Sequence, residues 1–274
     1  MREYKSFLKT VGGNEGTLCH YPTRLDTYGC GCQHDCDYCY AKSLLDFRGL
    51  WDPADPAVAD PKKIERVISK MKPGTVVRLG GMTDCFQPIE RQHGITRRTI
   101  EMLNAKRVEY LIVTKSAMVA EYMDILDNGL AHIQITITTL DDDLARTYEK
   151  ADPPSERVKA LLKLQAAGYD VAARLSPLIE PYMDFDRLNG LGIQKAVAEF
   201  LRANTWVKRW FDIDYSPYIV KSGGYSHLPL SEKERILSRI KIPEVTVCED
   251  VPEHYEYWKR VINPNPEDCC NLRR

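Results

Sequence analysis

The segment YGCGCQHDCDYCYAK, residues 28–42, places four cysteines within ten positions of a 274-residue chain. Cys32, Cys36 and Cys39 have the spacing C-x3-C-x2-C, and Cys30 lies two residues before Cys32. Thiols clustered in one short loop are metal ligands rather than disulfide halves when the compartment is reducing. The rest of the sequence agrees with such a compartment. Its nine cysteines are an odd number, MREYKSFLKT lacks the apolar core of a secretory signal, and no apolar run approaches the roughly 20 residues that span a bilayer. The chain is therefore read as cytoplasmic, with no membrane partner.

Two metal groups suit the loop. Four thiolates satisfy a structural zinc in a tetrahedron, and Cys30 and Cys32 share one face if the backbone is extended. Zinc ribbons, however, usually draw two ligand pairs from distant sequence, whereas these four sulfurs are contiguous. Three thiolates can instead hold a [4Fe–4S] cluster and leave one iron open to a non-protein ligand, which separates a reactive site from a structural one. Placement favours the cluster, because the loop stands at the start of a β/α array.

That array is read from hydrophobic patterning. Strands are expected at TVVRL (75–79), VEYLIVT (108–114), HIQITITT (132–139), DVAARLS (170–176), WFDIDY (210–215) and EVTVC (244–248). Helices are expected in PKKIERVISKM, ERVKALLKLQAAG, LGIQKAVAEFLRAN and SEKERILSRI, the second ending at Gly168 and the last opening with a Ser and a Glu at capping-box spacing. Strand–helix alternation calls for a parallel sheet with right-handed crossovers, either open and doubly wound or closed into a full or partial (β/α) barrel. In both, chemistry collects at the carboxyl ends of the strands. GGMTDCFQ, KS, TTLDDD and SPLIEP follow successive predicted strands, and the DDD run reads as the charged start of a helix. One domain is expected over residues 1–245, with 246–274 as a C-terminal appendage packed on it.

The balance of 38 basic and 39 acidic residues, net −1, removes any global attraction for nucleic acid. Basic patches remain in ITRRTIEMLNAKR, TWVKRW and the terminal NLRR, each read as a solvated helix face or tail.

CQHDCDYC, with an aromatic before its last cysteine, resembles the radical S-adenosylmethionine (SAM) superfamily. Three further segments, GGMTDCFQPIE (80–90), LIVTKSAMV (111–119) and the run from ITTLDDD to SPLIEP (137–181), resemble its spore photoproduct lyase-like group. The resemblance implies a partial (β/α)6 TIM-like barrel, a [4Fe–4S] cluster on Cys32, Cys36 and Cys39, and SAM bound through its methionyl amine and carboxylate. Tyr38 would meet the adenine, and Gly80 and Gly81 would let backbone approach the amine, having no Cβ. Thr83 and Asp84 would make polar cofactor contacts. Lys115 and Ser116 would reach the SAM carboxylate or ribose, and Arg174 would pair with the carboxylate. Tyr40 is a further catalytic candidate. A low-potential donor such as flavodoxin or ferredoxin would supply the electron, in a bacterial or virus-infected cell.

Each of these residues also has a plainer reading. Gly80-Gly81 makes a turn, Tyr38 and Tyr40 pack, and Arg174 pairs with Glu180 or an Asp of 141–143. The lyase donates hydrogen from a cysteine preceding its Thr/Ser-Asp pair, whereas here Met82 precedes the pair and Cys85 follows it. Cys85 is either a displaced donor or the mark of a reaction that needs none. The expected substrate is a modified thymine or pyrimidine in DNA or a nucleotide, and isomerisation of an amino-acid-modified thymidine is preferred to lesion cleavage. A radical enzyme for a peptide or small metabolite and a non-enzymatic zinc module are the alternatives. Cys19, Cys30, Cys248, Cys269 and Cys270 are read as structural thiols or partners in a second cluster, and Tyr255, Tyr257 and Trp258 as packing or as base-stacking rings.

Overall fold

The computed structural model describes residues 3–4, 7–10 and 18–273. Its main sheet has eight strands: β1 (Leu8–Thr10), β2 (Thr23–Leu25), β3 (Val76–Leu79), β4 (Glu109–Thr114), β5 (Ala131–Thr136), β6 (Asp170–Leu178), β7 (Lys195–Phe200) and β8 (Glu244–Val247). They lie side by side in chain order. β2 to β8 are parallel, and β1 joins β2 antiparallel. A parallel neighbour is reached only by a crossover. α1 (Tyr40–Leu45) and α2 (Pro61–Ile68) precede β3, α3 (Ile95–Lys106) precedes β4, and α4 (Pro154–Ala166) precedes β6. α5 (Thr205–Trp210) and α6 (Leu230–Leu237) precede β8, and α7 (Pro252–Val261) follows it. The architecture is the mixed α/β partial barrel expected from the sequence, with β8 as an additional parallel strand. Among the described residues no helix is long and apolar enough to cross a membrane.

Local chemistry sets the element ends. Asp60 caps α2, with Pro61 in its first turn where a missing N–H costs nothing. Gly168, at φ +82°, closes α4. Asp141 of the DDD run accepts from the Asp143 and Leu144 amides and starts a short helix. Ser231 and Glu234 do not form the expected capping box, because α6 begins at Leu230 behind Pro229, two residues too early for Ser231 to cap.

Two expected elements exchange roles. LGIQKAVAEFLRAN supplies β7 rather than a helix: Ala196, Val197 and Ala198 are buried between β6 and β8, and a strand covered on both faces shows an apolar run that mimics a helix. WFDIDY is the end of α5 and a loop, and its alternation reflects Phe211 turning into an aromatic cluster with Tyr38, Tyr148 and Tyr182.

The boundary expected at 245/246 falls inside β8. Beyond it the chain returns into the barrel, where Cys269, Cys270 and Leu272 pack with Tyr21 and Leu111. Tyr21 donates to Asp268 at 2.6 Å, and the Arg273 amide donates to Asp170 at 2.8 Å. Tyr255 and Trp258 of α7 are buried, so their rings pack rather than stack on a ligand.

Candidate active site

The cysteine loop leaves a short strand, Tyr28–Gly29, through an unusual backbone. Cys30 and Asp35 have φ of +55° and +38°, and a Cβ on Gly31 would lie 1.9 Å from the Asp52 carbonyl oxygen. The Cys30 carbonyl accepts from the Asp52 amide at 2.8 Å. This turn sends Cys32, Cys36 and Cys39 to the wall of one cavity, open to solvent, and leaves Cys30 off that wall. Cys39 also starts α1, its sulfur accepting from the Lys42 amide at 3.5 Å.

One zinc with bonds of about 2.3 Å would hold its sulfurs within about 4.6 Å of one another. Among the described residues, no three cysteine sulfurs lie within 4.8 Å of one another. Burial pushes the Cys32 thiol up to about 12, and those of Cys36 and Cys39 also up, with the neighbouring sulfurs adding to the rise at Cys32 and Cys36. Such thiols ionise only against a strong local cation, which a cluster's irons provide. The donor set therefore fits a metal group whose positive charge draws the buried thiols into ionisation.

The loop after β3 forms the next part of the wall. Buried Asp26 accepts from the amides of Gly81, Met82 and Thr83 at 2.7, 3.0 and 3.4 Å. Gly80 has φ +78°, and a Cβ on Gly81 would come within 2.3 Å of the Arg24 side chain. Thr83 donates to the Tyr28 carbonyl at 2.6 Å. Asp84 accepts from the Phe86 amide, the Thr114 hydroxyl and the Lys115 amide at 2.8, 2.8 and 2.7 Å, and stands 3.2 Å from His34 Nε2. Burial alone would raise its carboxyl; His34 and these donors outweigh it and hold it below the usual range. Thr83 and Asp84 line the cavity, but their polar atoms tie the cysteine loop to β3 and β4.

The remaining expected residues divide. Tyr38 lines the cavity, with its hydroxyl turned inward to Glu149, which also pairs with fully buried Arg157. Tyr40 lines it too and donates to the Gly81 carbonyl. Lys115 lies over the Tyr38 ring at 5.4 Å. Arg174 faces the cavity, but its partners are Gln134 at 2.7 Å and Glu199, neither Glu180 nor an Asp of 141–143, because Glu199 stands on the adjacent strand β7 that was read as helix. Ser116 is off the wall: it donates to Asp152 at 2.7 Å and caps a 3-10 turn. Cys85 is also off it, 0% exposed within the core behind Asp84, so it is not placed to donate hydrogen into the cavity.

Sequence reading missed His34, Arg24, Arg78, Glu199 and Arg202, all on this wall. Arg24 and Arg78 face each other in register on β2 and β3. A charged residue inside a short apolar strand, as in TRL and VVRL, was the available signal. The wall also carries Cys19, Cys248 and Cys269. Cys270 beside them is drawn down to about 7 by the Cys269 thiol and by Arg174 and Arg78.

Comparison with known proteins places this geometry. The model of the Radical SAM superfamily matches residues 27–187. An uncharacterized protein, MJ0683, of Methanocaldococcus jannaschii is 28% identical over 167 residues, 58% of this chain and 62% of that protein, so the match spans under two thirds of the relative. A spore photoproduct lyase variant has a TM-score of 0.69 at 16% identity, covering 89% of this chain and 80% of its own. Another, with bound AdoMet and dinucleoside spore photoproduct, has a TM-score of 0.65 at 15% identity over 95% of this chain and 80% of its own. Methylornithine synthase has a TM-score of 0.54 at 13% identity over 85% and 68%. At these identities the structural likenesses establish the fold. With the family match over residues 27–187, which includes the whole cysteine loop, they identify the chain as a member of the radical SAM superfamily.

Proposed function

We propose that the chain is an enzyme that removes a hydrogen atom from a modified pyrimidine, in DNA or as a nucleotide, and that its preferred reaction is isomerisation of an amino-acid-modified thymidine. The observation that carries the radical reading is the trio Cys32, Cys36 and Cys39 on the wall of a cavity from which Cys30 is turned away. The trio would hold a [4Fe–4S] cluster with one iron open. When bound, the cluster and SAM supply reductive cleavage of the sulfonium and a 5′-deoxyadenosyl radical that takes a hydrogen atom and can return it.

The residues of this chain hold and screen the reactants. Gly80 and Gly81 would present backbone to the methionyl amine, and the missing Cβ of Gly81 makes room for the Arg24 side chain beside it. Arg174 and Lys115 offer positive charge to a carboxylate, and Tyr40 fixes the Gly81 carbonyl. Tyr38, packed edge-on against Phe211 at 5.7 Å and anchored by Glu149, keeps water from the thiols. A small low-potential electron-transfer protein such as flavodoxin or ferredoxin is the expected partner.

Isomerisation is favoured over lesion cleavage because Cys85 is sealed away and an isomerase needs no thiol donor. Cleavage remains the second reading because Cys248 and Cys269 reach the cavity. The test begins with anaerobic reconstitution. About four irons per chain are expected, together with 5′-deoxyadenosine from SAM and dithionite; stoichiometric zinc without SAM cleavage would end the radical reading. Product formed in heavy water then separates the two reactions. An isomerase leaves the product carbon free of solvent deuterium, whereas a thiol donor, which exchanges its hydrogen with solvent, labels it.

A further inference from the structure

The three basic patches of the sequence differ in what neutralises them. Around α3, Arg91 pairs with Glu121 at 2.6 Å, Arg97 with Asp124 at 2.9 Å and Arg107 with Asp127 at 3.0 Å. In NLRR, Arg273 donates to the Gly168 carbonyl at 3.0 Å, and Arg274 lies outside the described residues. Arg98 and Lys106 on α3 have neither a carboxylate nor a ring beside them among the described residues, and TWVKRW, on α5, differs from both patches in the rings that stand beside both of its cations. Among the described residues no carboxylate stands within 4.0 Å of Lys208, of Arg209, or of Arg48 beside α1.

These cations stand over rings instead. Arg209 is 4.9 Å from Trp206, Arg48 is 5.0 Å from Phe47, and Lys208 is 5.1 Å from Tyr215. Trp206 stacks on Phe47, with centroids 6.2 Å apart and planes at 11°, and on Trp210, at 6.0 Å and 29°. The result is a three-ring ledge whose outer member, Phe47, is 54% exposed. Trp206 and Trp210 are half-buried, and a partly exposed aromatic surface rimmed by charge is suited to an interaction site.

The ledge adjoins the cavity mouth. α1 begins at Tyr40 and α5 follows Arg202, both on the cavity wall. Asn204 caps α5 and donates to Ser43 of α1 at 3.0 Å, holding the two helices side by side. A groove beside α5, bounded by Lys208, Lys221 and Tyr225, continues the basic surface.

We infer that this ledge binds single-stranded DNA, stacking unpaired bases that flank the base held in the cavity. The inference rests on the reading that the substrate is a modified base, and adds that the base arrives in a strand. Aromatic faces accept any base, and unpaired cations beside them meet phosphates. With a net charge of −1 the protein has no long-range attraction, so binding depends on the ledge itself.

The test uses the full chain and a labelled thymidine oligomer of about twelve nucleotides, against an abasic oligomer of equal charge, in fluorescence anisotropy. The thymidine oligomer should bind at least about tenfold tighter than the abasic one, and Phe47→Ala and Trp206→Ala should each weaken it roughly tenfold. Lys208→Gln and Arg209→Gln should each reduce the salt slope by about 0.7. Phe47 is half-exposed, so its variant keeps the test valid if Trp206→Ala does not fold. Equal affinity for the abasic oligomer, wild-type affinity in Phe47→Ala, or no binding at about 50 mM salt would overturn the ledge. 5′-Deoxyadenosine formation by the wild-type protein without DNA is scored separately. Its absence overturns the radical reading alone, and loss of oligomer binding overturns the ledge alone.

Discussion

Two walls of one cavity carry cysteines, and they are built in opposite ways. The loop wall takes Cys32, Cys36 and Cys39 from eight consecutive residues and fixes them with buried polar groups, Asp84 on one side and the Glu149–Arg157 pair on the other. The far wall gathers Cys19, Cys248 and Cys269 from three distant segments. Burial drives the loop thiols up, to about 12 at Cys32, and it raises Cys19 on the far wall as well; the hydrogen-bonded Cys269–Cys270 pair there is split, Cys269 going up and Cys270, behind it and near Arg174 and Arg78, going down. Proximity in sequence prepares a ligand set, while proximity in space alone produces a mixed thiol cluster set among charges of both signs.

The largest effect should separate the walls outright. Cys36→Ala is expected to lose nearly all iron after anaerobic reconstitution, and Cys269→Ala to retain it; iron loss in both would mean that the far wall also binds the cluster. Next in size is the anchor of the loop wall. Arg157→Met leaves Glu149 buried without its cation and should cost about 3–5 kcal/mol in urea unfolding, whereas a change below about 1 kcal/mol would show that the pair is not what holds Tyr38. Asp84→Asn should cost about 2–3 kcal/mol, because its acceptors lose their charge, and should lower iron retention; unchanged iron would separate the Asp84 brace from the ligand loop.

The far wall has its own signature with acid. Burial alone would raise the Glu199 carboxyl, but the Arg174 and Arg202 guanidiniums outweigh it and bring it to about 2. A glutamate near 4.3 when unfolded and depressed when folded stabilises fully above about pH 4.3 and loses that contribution as the pH falls toward about 2. Glu199→Gln should therefore flatten the acid limb of stability in the metal-free protein, measured by unfolding between about pH 2 and 5; an unaltered limb would remove Glu199 as its source. The smallest effect belongs to Cys85→Ala, about 1 kcal/mol from lost packing, with solvent-deuterium incorporation unchanged. Altered incorporation would return Cys85 to the cavity.

Much of this contrast was legible beforehand. The cysteine loop, the glycine pair and five of the six expected strands could be read because each is a local signal: ligand spacing, a φ that only glycine readily adopts, or a β-branched run closed by a turn. Cys85 and Ser116 were misjudged because neighbours in sequence need not point the same way. Asp84 and Lys115 face the cavity while the next residue of each turns into the core or caps a helix.

The sequence by itself determined the family, the loop that presents three thiols and the alternation that builds a parallel barrel, since each depends on residues within a few positions of one another. Tertiary structure alone decided that KAVAEF is a strand, that Arg174 meets Glu199, that the last residues fill the barrel with thiols, and that the TWVKRW cations stand over rings. Each of these rests on contacts between segments far apart in the chain, where burial and charge pairing, rather than local pattern, select the conformation.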